Sequence, residues 1–127
     1  MAATGSGYLV PEPPLVAPDA AVAAKDATAD LAIGDYGKNI TNTGAGDTIV
    51  LTLLAAALAA GMAFRVQLTA AFVVTLTPAS GEKIYLGGSG VVDESLSIAG
   101  VIGNYVDIYC DGEKHMVIDY SGVLTKA

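Results

Sequence analysis

The sequence predicts an all-β fold, a compact antiparallel sandwich or barrel-like module with an extended N-terminal arm, and three observations point to it. Asp111-Gly112 stands between two strand-forming runs, 106–110 and 115–118, and this dipeptide favours the positive φ of a tight hairpin turn. Short alternating runs with glycine punctuation extend backwards from there to about Tyr36, the cadence of an all-β sandwich or barrel. Charged residues are only 15% of the 127-residue chain and hydrophobic ones 53%. A small monomer cannot hide that much apolar area, so the surplus predicts burial between subunits.

The chain divides into an arm, residues 1–35, and a β module, residues 36–127. Prolines at 11, 13, 14 and 18 fix φ and remove backbone donors, which predicts an extended segment. Tyr8, Leu9, Val10, Leu15 and Val16 are large apolar side chains for a solvated tail, and are read as a docking strip on a neighbouring protein. Asp19 to Leu31 is alanine-rich and is compatible with a short helix with Asp19 as its N-cap, one that holds only if docked because its apolar residues are mostly alanine.

Within the module, 42–47 reads as a turn and 48–53 alternates Thr/Val/Thr with Ile/Leu/Leu. Residues 54–60 suit a helical turn or a loop, closed by Gly61. In 62–68, Phe64, Val66 and Leu68 face one way and Arg65 and Gln67 the other. Phe72, Val74 and Leu76 share a face in the following strand, and Ile84 and Leu86 alternate before the Gly87-Gly88-Ser89-Gly90 loop. Runs at 96–98, 105–110 and 115–120 complete the set.

Charge and motifs narrow the function. Thirteen acidic against six basic residues give a net charge of −7, which repels a phosphate backbone and argues against nucleic-acid binding. The longest uncharged apolar stretch, 49–64, falls short of the roughly 20 residues that cross a bilayer, and no basic, apolar secretory signal opens the chain. A protein made in the cytoplasm, without a membrane partner, is expected. Cys110 is the only cysteine and His115 the only histidine. They flank one hairpin, a faint hint of a nucleophilic pair; a buried thiol and a structural histidine explain them more simply. Asp93, Glu94, Asp107, Asp111, Glu113 and Asp119 fall in no recognisable motif and read as solvated loop and edge charges rather than a carboxylate pair for hydrolysis. The glycine loop lacks the Gly-Lys-[Ser/Thr] ending of a phosphate cradle, and no calcium loop occurs. Asn39-Ile40-Thr41 fits a glycosylation sequon, which has no meaning without secretion. No enzyme, cofactor or metal is expected.

Two segments carry a resemblance. Residues 39–61, NITNTGAGDTIVLTLLAAALAAG, are similar to a motif in which a T-N-x-G-A turn precedes an alternating strand and a Leu-Pro-Ala-Ala corner, with Leu54 where proline is usual. Residues 103–117, ending CDGEKHMV, resemble a terminal C-D-G-x-x-W-x-V hairpin, with His115 in the tryptophan place. Both patterns belong to small β modules of tailed-bacteriophage virion proteins, particularly capsid decoration (cement) proteins and tail fibres. The resemblance spans roughly residues 36–120. It implies a virion protein on the capsid surface, made in the host cytoplasm, commonly a homotrimer, that binds the major capsid protein and bridges its subunits. On that reading, 8–16 contacts the shell, and Ile49, Leu51, Leu53, Phe64, Val66, Leu68, Phe72, Val74 and Leu76 form the subunit interface. The alternative is a tail fibre, spike or head-fibre domain that recognises a host receptor, with Tyr85, Tyr105, Tyr109 and Tyr120 as its candidate residues.

Overall fold

A computed structural model describes residues 21–86, 91–92 and 95–126. These residues form twelve strands: β1 (Val22–Ala24), β2 (Ala29–Asp30), β3 (Asn39–Thr41), β4 (Ile49–Thr52), β5 (Ala63–Gln67), β6 (Val74–Thr77), β7 (Ile84–Leu86), β8 (Val91–Val92), β9 (Leu96–Ile98), β10 (Tyr105–Cys110), β11 (His115–Ser121) and β12 (Leu124–Lys126). Two single 3-10 turns, Ile33–Asp35 and Ala56–Leu58, are the helical content of the described residues. The fold is all-β.

The strands make two sheets, in the orders β1-β3-β5-β10-β11-β7-β8 and β12-β9-β6-β4-β2. Each sheet has two free edges among the described residues, so no barrel closes. Five pairings are parallel: β1–β3, β3–β5, β2–β4, β4–β6 and β7–β11. The antiparallel expectation therefore holds for β10–β11, β5–β10, β9–β12, β6–β9 and β7–β8, and fails for the windings of the first half and for β7–β11. From β1 to β6 the chain alternates between the sheets, odd strands in one and even strands in the other. Parallel neighbours cannot be joined by a two-residue hairpin. Here each return path is itself a strand of the opposite sheet, which satisfies its backbone groups on the way.

Side-chain alternation then fills the space between the sheets. In β5 the in-out pattern puts Phe64 and Val66 inside, with Arg65 and Gln67 outward, and Leu68 follows inward. Ile40, Val106, Ile108 and Val117 join them from the first sheet; Ile49, Leu51, Val74, Leu76, Leu96 and Ile98 face them from the second. One continuous core results, each large aliphatic or aromatic side chain contributing roughly 1.5–3 kcal/mol by leaving water.

That core overturns the expected subunit interface. Ile49, Leu51, Leu53, Phe64, Val66, Leu68, Val74 and Leu76 are at most 3% exposed within a single chain. They are covered by the opposite sheet and have no surface to offer a second copy. Phe72 alone of the nine is exposed, because it sits in the turn before β6 rather than in the strand.

The alanine-rich stretch also differs from expectation. Val22–Ala24 and Ala29–Asp30 are strands β1 and β2, and no helix forms between them. Ladder bonds to β3 and β4 override alanine's high helix propensity, since a one-sided alanine helix has little to bury. Among the described residues the sheets thus begin at Val22, ahead of the expected boundary at residue 36. Lys25 after β1 reaches Asp35 at 3.1 Å, and Asp35 also accepts the Ala32 amide at 2.8 Å. The arm residues Tyr8, Leu9, Val10, Leu15 and Val16 lie outside the described residues.

Candidate binding surfaces

The Asp111-Gly112 hairpin forms as expected, with Cys110 directly opposite His115. Gly112 has φ +97°, which a side chain would strain. The Asp111 carboxylate accepts the Glu113 and Lys114 amides at 2.8 and 2.9 Å and pairs with the Lys114 ammonium at 3.2 Å. Those amides, and then the ammonium, draw its pKa down to about 2.

Although paired on the ladder, Cys110 and His115 do not bond each other. The Cys110 thiol donates to the Ala56 carbonyl at 3.3 Å, and burial pushes its pKa up. It is therefore a protonated core thiol, not a nucleophile. His115 Nε2 lies 2.7 Å from the Tyr36 hydroxyl, and that hydroxyl accepts the Leu54 amide at 3.3 Å. His115 Nδ1 has no hydrogen-bond partner. A tautomer with Nε2 accepting from Tyr36 leaves one buried group unsatisfied, and the reverse leaves two, so the first is favoured. Burial lowers the histidine's pKa, with Glu82 and Asp111 pulling the other way. The ring is neutral and structural.

At the opposite end of the module, three loops meet: 68–73, 99–104 and 121–123. Asn42, 1% exposed, is the peg between β3 and the first loop. Its amide donates to the Ala70 and Phe72 carbonyls, and its carbonyl accepts the Thr69 and Ala70 amides. The Asn104 amide donates to the Ala99 carbonyl, and its side chain lies directly against Gly122, where any Cβ would collide with it. The Ala99 amide donates to Val123, and the Gly100 backbone lies against Phe72 and Val73. With their backbones satisfied from inside, these loops turn Val101, Ile102 and Val123 outward at 59%, 64% and 63% exposure, beside Phe72. No charged residue interrupts 95–106 or 120–125. On a chain of net charge −7 this is an apolar, uncharged cap.

The outer face of the first sheet is different. Asn39, Arg65, Asp107 and Asp119 stand in register across β3, β5, β10 and β11. Arg65 grips Asp107 through two bonds of 2.7 and 2.9 Å and lies over the Tyr105 ring at 4.1 Å. The Tyr105 hydroxyl donates to Asp119 at 3.0 Å. The neighbouring row runs Ala63, Tyr109, Met116, Tyr85. Three of the four candidate tyrosines therefore share one face. Tyr120 does not: it is opposite buried Val106, past a bulge that leaves Ile118 exposed.

No protein-family model, curated protein or solved structure matches this chain. The surfaces must be read on their own chemistry. Asp107, Asp111 and Asp119 are occupied by Arg65, the hairpin amides and Tyr105, while Asp93 and Glu94 lie outside the described residues. Among the described residues no three His, Cys, Asp or Glu side chains are grouped to hold a metal ion, and no helix is long and apolar enough to cross a membrane. The apolar cap at Val101, Ile102 and Val123 escaped the sequence reading. The signal was present as an uncharged loop sequence, AGVIGN, but apolar residues between strands look like more strand.

Proposed function

We propose that this chain is a bacteriophage capsid decoration (cement) protein that binds the outer shell and bridges major capsid subunits. The observation that supports it best is the uncharged cap of Phe72, Val101, Ile102 and Val123 on a strongly acidic chain. Exposed apolar side chains gathered on a rigid loop platform are the mark of a docking surface rather than of a solvated end. The cap, together with the arm residues 8–16, is where shell and neighbouring copies in a homotrimer would be met. The mechanism is thermodynamic: a protein that binds the assembled shell and not its separated subunits stabilises the shell by mass action.

Substituting Ile102→Asp and Val101→Asp places charge in the cap without touching the core. Retained folding with loss of particle binding, read by sedimentation with purified shells, is the expected result. Unchanged binding by this double variant, and by a chain lacking residues 1–18, would remove the proposal. The alternative role, a fibre or spike domain for host-receptor binding, draws support from Tyr85 and Tyr109 on the outer sheet face. A few copies per particle, against hundreds for a cement protein, would favour it.

A further inference from the structure

We infer that the cap of Phe72, Val101, Ile102 and Val123 seats the arm of a neighbouring copy, an assignment that rests on the cap being a docking surface and names its occupant. The strip Tyr8, Leu9, Val10, Leu15 and Val16 is what lies on it. Those residues are outside the described ones. What points to them is where the arm joins the module, how far it reaches and what it carries.

β1 runs parallel to β3 and β3 to β5, while β5 runs from the hairpin end, where Ala63 pairs with Tyr109, towards the cap. The chain therefore enters β1 from the hairpin side, with the Ala21 carbonyl held by the Asn39 amide at 2.9 Å. A strand rises about 3.3 Å per residue and neighbouring strands lie about 4.8 Å apart. Leu68, beneath the cap, is thus about 13 Å up the sheet from Ala21 and about 10 Å across it. The stretch from Val16 to Ala21 spans about 17 Å when fully extended, and folding back would use all of it to reach Leu68. Val101 and Ile102 stand further out, past Gly103, whose amide donates to the Leu68 carbonyl at 2.9 Å. The strip as a whole does not fit on its own cap. Prolines at 11, 13, 14 and 18 favour an extended arm, which carries the strip to a second copy.

The two surfaces suit each other chemically. Copies of net charge −7 repel unless they meet where charge is sparse. Residues 95–106 and 120–125 carry no charged side chain, and residues 1–18 carry only Glu12. Backbone groups are matched as well. Pro11, Pro13 and Pro14 have no N–H to satisfy, and the Val101, Gly103 and Asn104 amides already donate to the Ala99, Leu68 and Val101 carbonyls. The contact is therefore made by side chains, as when proline-rich segments dock on apolar surfaces. A segment held extended by proline also loses little freedom on being seated. Giving an arm and receiving one is a head-to-tail contact, the kind that generates rings. It supplies the link between copies that the buried core residues cannot.

The test is photo-cross-linking of the full chain carrying Tyr8→p-benzoylphenylalanine, in a mixture of 15N-labelled and unlabelled copies and without shells. Mass spectrometry should find cross-links from position 8 to 101–102 or 123 that join a labelled copy to an unlabelled one. Val101→Asp with Ile102→Asp should cut their yield at least tenfold, with the fold checked by circular dichroism. Ile33→Asp, at a similarly exposed apolar residue outside the cap, should not. Cross-links that stay within one copy, that map elsewhere or that survive the double variant undiminished would each overturn the assignment, as would none at all. The map from the intact cap decides alone if the double variant unfolds. Since no shell is present, such a failure leaves shell docking to its own sedimentation test.

Discussion

The two ends of the module invert each other's chemistry. At the loop end, polar Asn42 and Asn104 are buried, and apolar Val101, Ile102 and Val123 face water. At the hairpin end, Tyr36, Phe64 and His115 are buried under a charged rim of Glu82, Lys83, Asp111, Glu113 and Lys114. The difference shows how a small β fold frees one surface for docking. Side-chain amides inside the loop end satisfy backbone groups that water would otherwise serve, so the exterior there needs no polar residues. The hairpin end packs aromatic rings and the Tyr36–His115 pair inside and leaves its charged groups outside.

The comparison is broken most directly at the hairpin end's core. Phe64, fully buried and edge-on to Tyr36 with ring centroids 4.8 Å apart, should cost about 3–5 kcal/mol when truncated to alanine. Urea denaturation should show that loss at every protein concentration, because the cavity is within one chain. A loss that vanishes on dilution would mean that Phe64 packs between copies after all. At the loop end, Asn42→Ala should cost about 3 kcal/mol by orphaning buried backbone groups. A loss below 1 kcal/mol on that same scale would show that the peg is dispensable.

A smaller effect follows from His115. Its pKa is lowered in the fold by burial, from an ordinary value of 6.5. Tyr36, Cys110, Glu82 and Asp111 are the titratable groups around it. Between the folded and unfolded pKa values the unfolded chain binds more protons, so stability falls as pH falls. The contribution is whole above pH 6.5 and is lost below it, towards the folded value. Denaturation midpoints at pH 7.5 and 5.5 should therefore differ, and His115→Phe should flatten the difference. An equal drop in the phenylalanine variant would assign the acid sensitivity elsewhere. Smallest of all is the Asp111 turn. Its carboxyl should titrate near pH 2 by carbon-detected NMR, and a value at the ordinary 3.8 would mean that the turn amides do not hold it.

Much of this was legible in the chain, for identifiable reasons. Asp111-Gly112 marks its hairpin because the backbone conformation is written into the two residues themselves. The inward set of β5 follows from strict alternation. Parallel stacking was not legible, since the residues that join β1 to β3 or β4 to β6 are strands and turns of ordinary composition. Alternation also says which face is apolar without saying what covers it. That is why Phe64, Val66 and Leu76 were assigned to a neighbouring subunit when the second sheet of the same chain was their partner. The docking cap was missed because Val101 and Ile102 are recognisable only once the buried asparagines beneath them are in place.

The alternation of β1 to β6 between two sheets also sets the order in which the chain can find its shape. Val22 must wait for Asn39, and Ile49 for Val74, so the first half offers no short loop to close early. In the second half β7 meets β8 and β10 meets β11 as near neighbours in sequence, and β10 then presents an edge to β5, far back in the chain. Topologies dominated by such distant pairings fold in milliseconds to seconds rather than microseconds. During synthesis the parallel windings emerge first, and the free edge of β5 waits for β10 to pair with it. Residues 105–121 are the latch that joins β5 to β7.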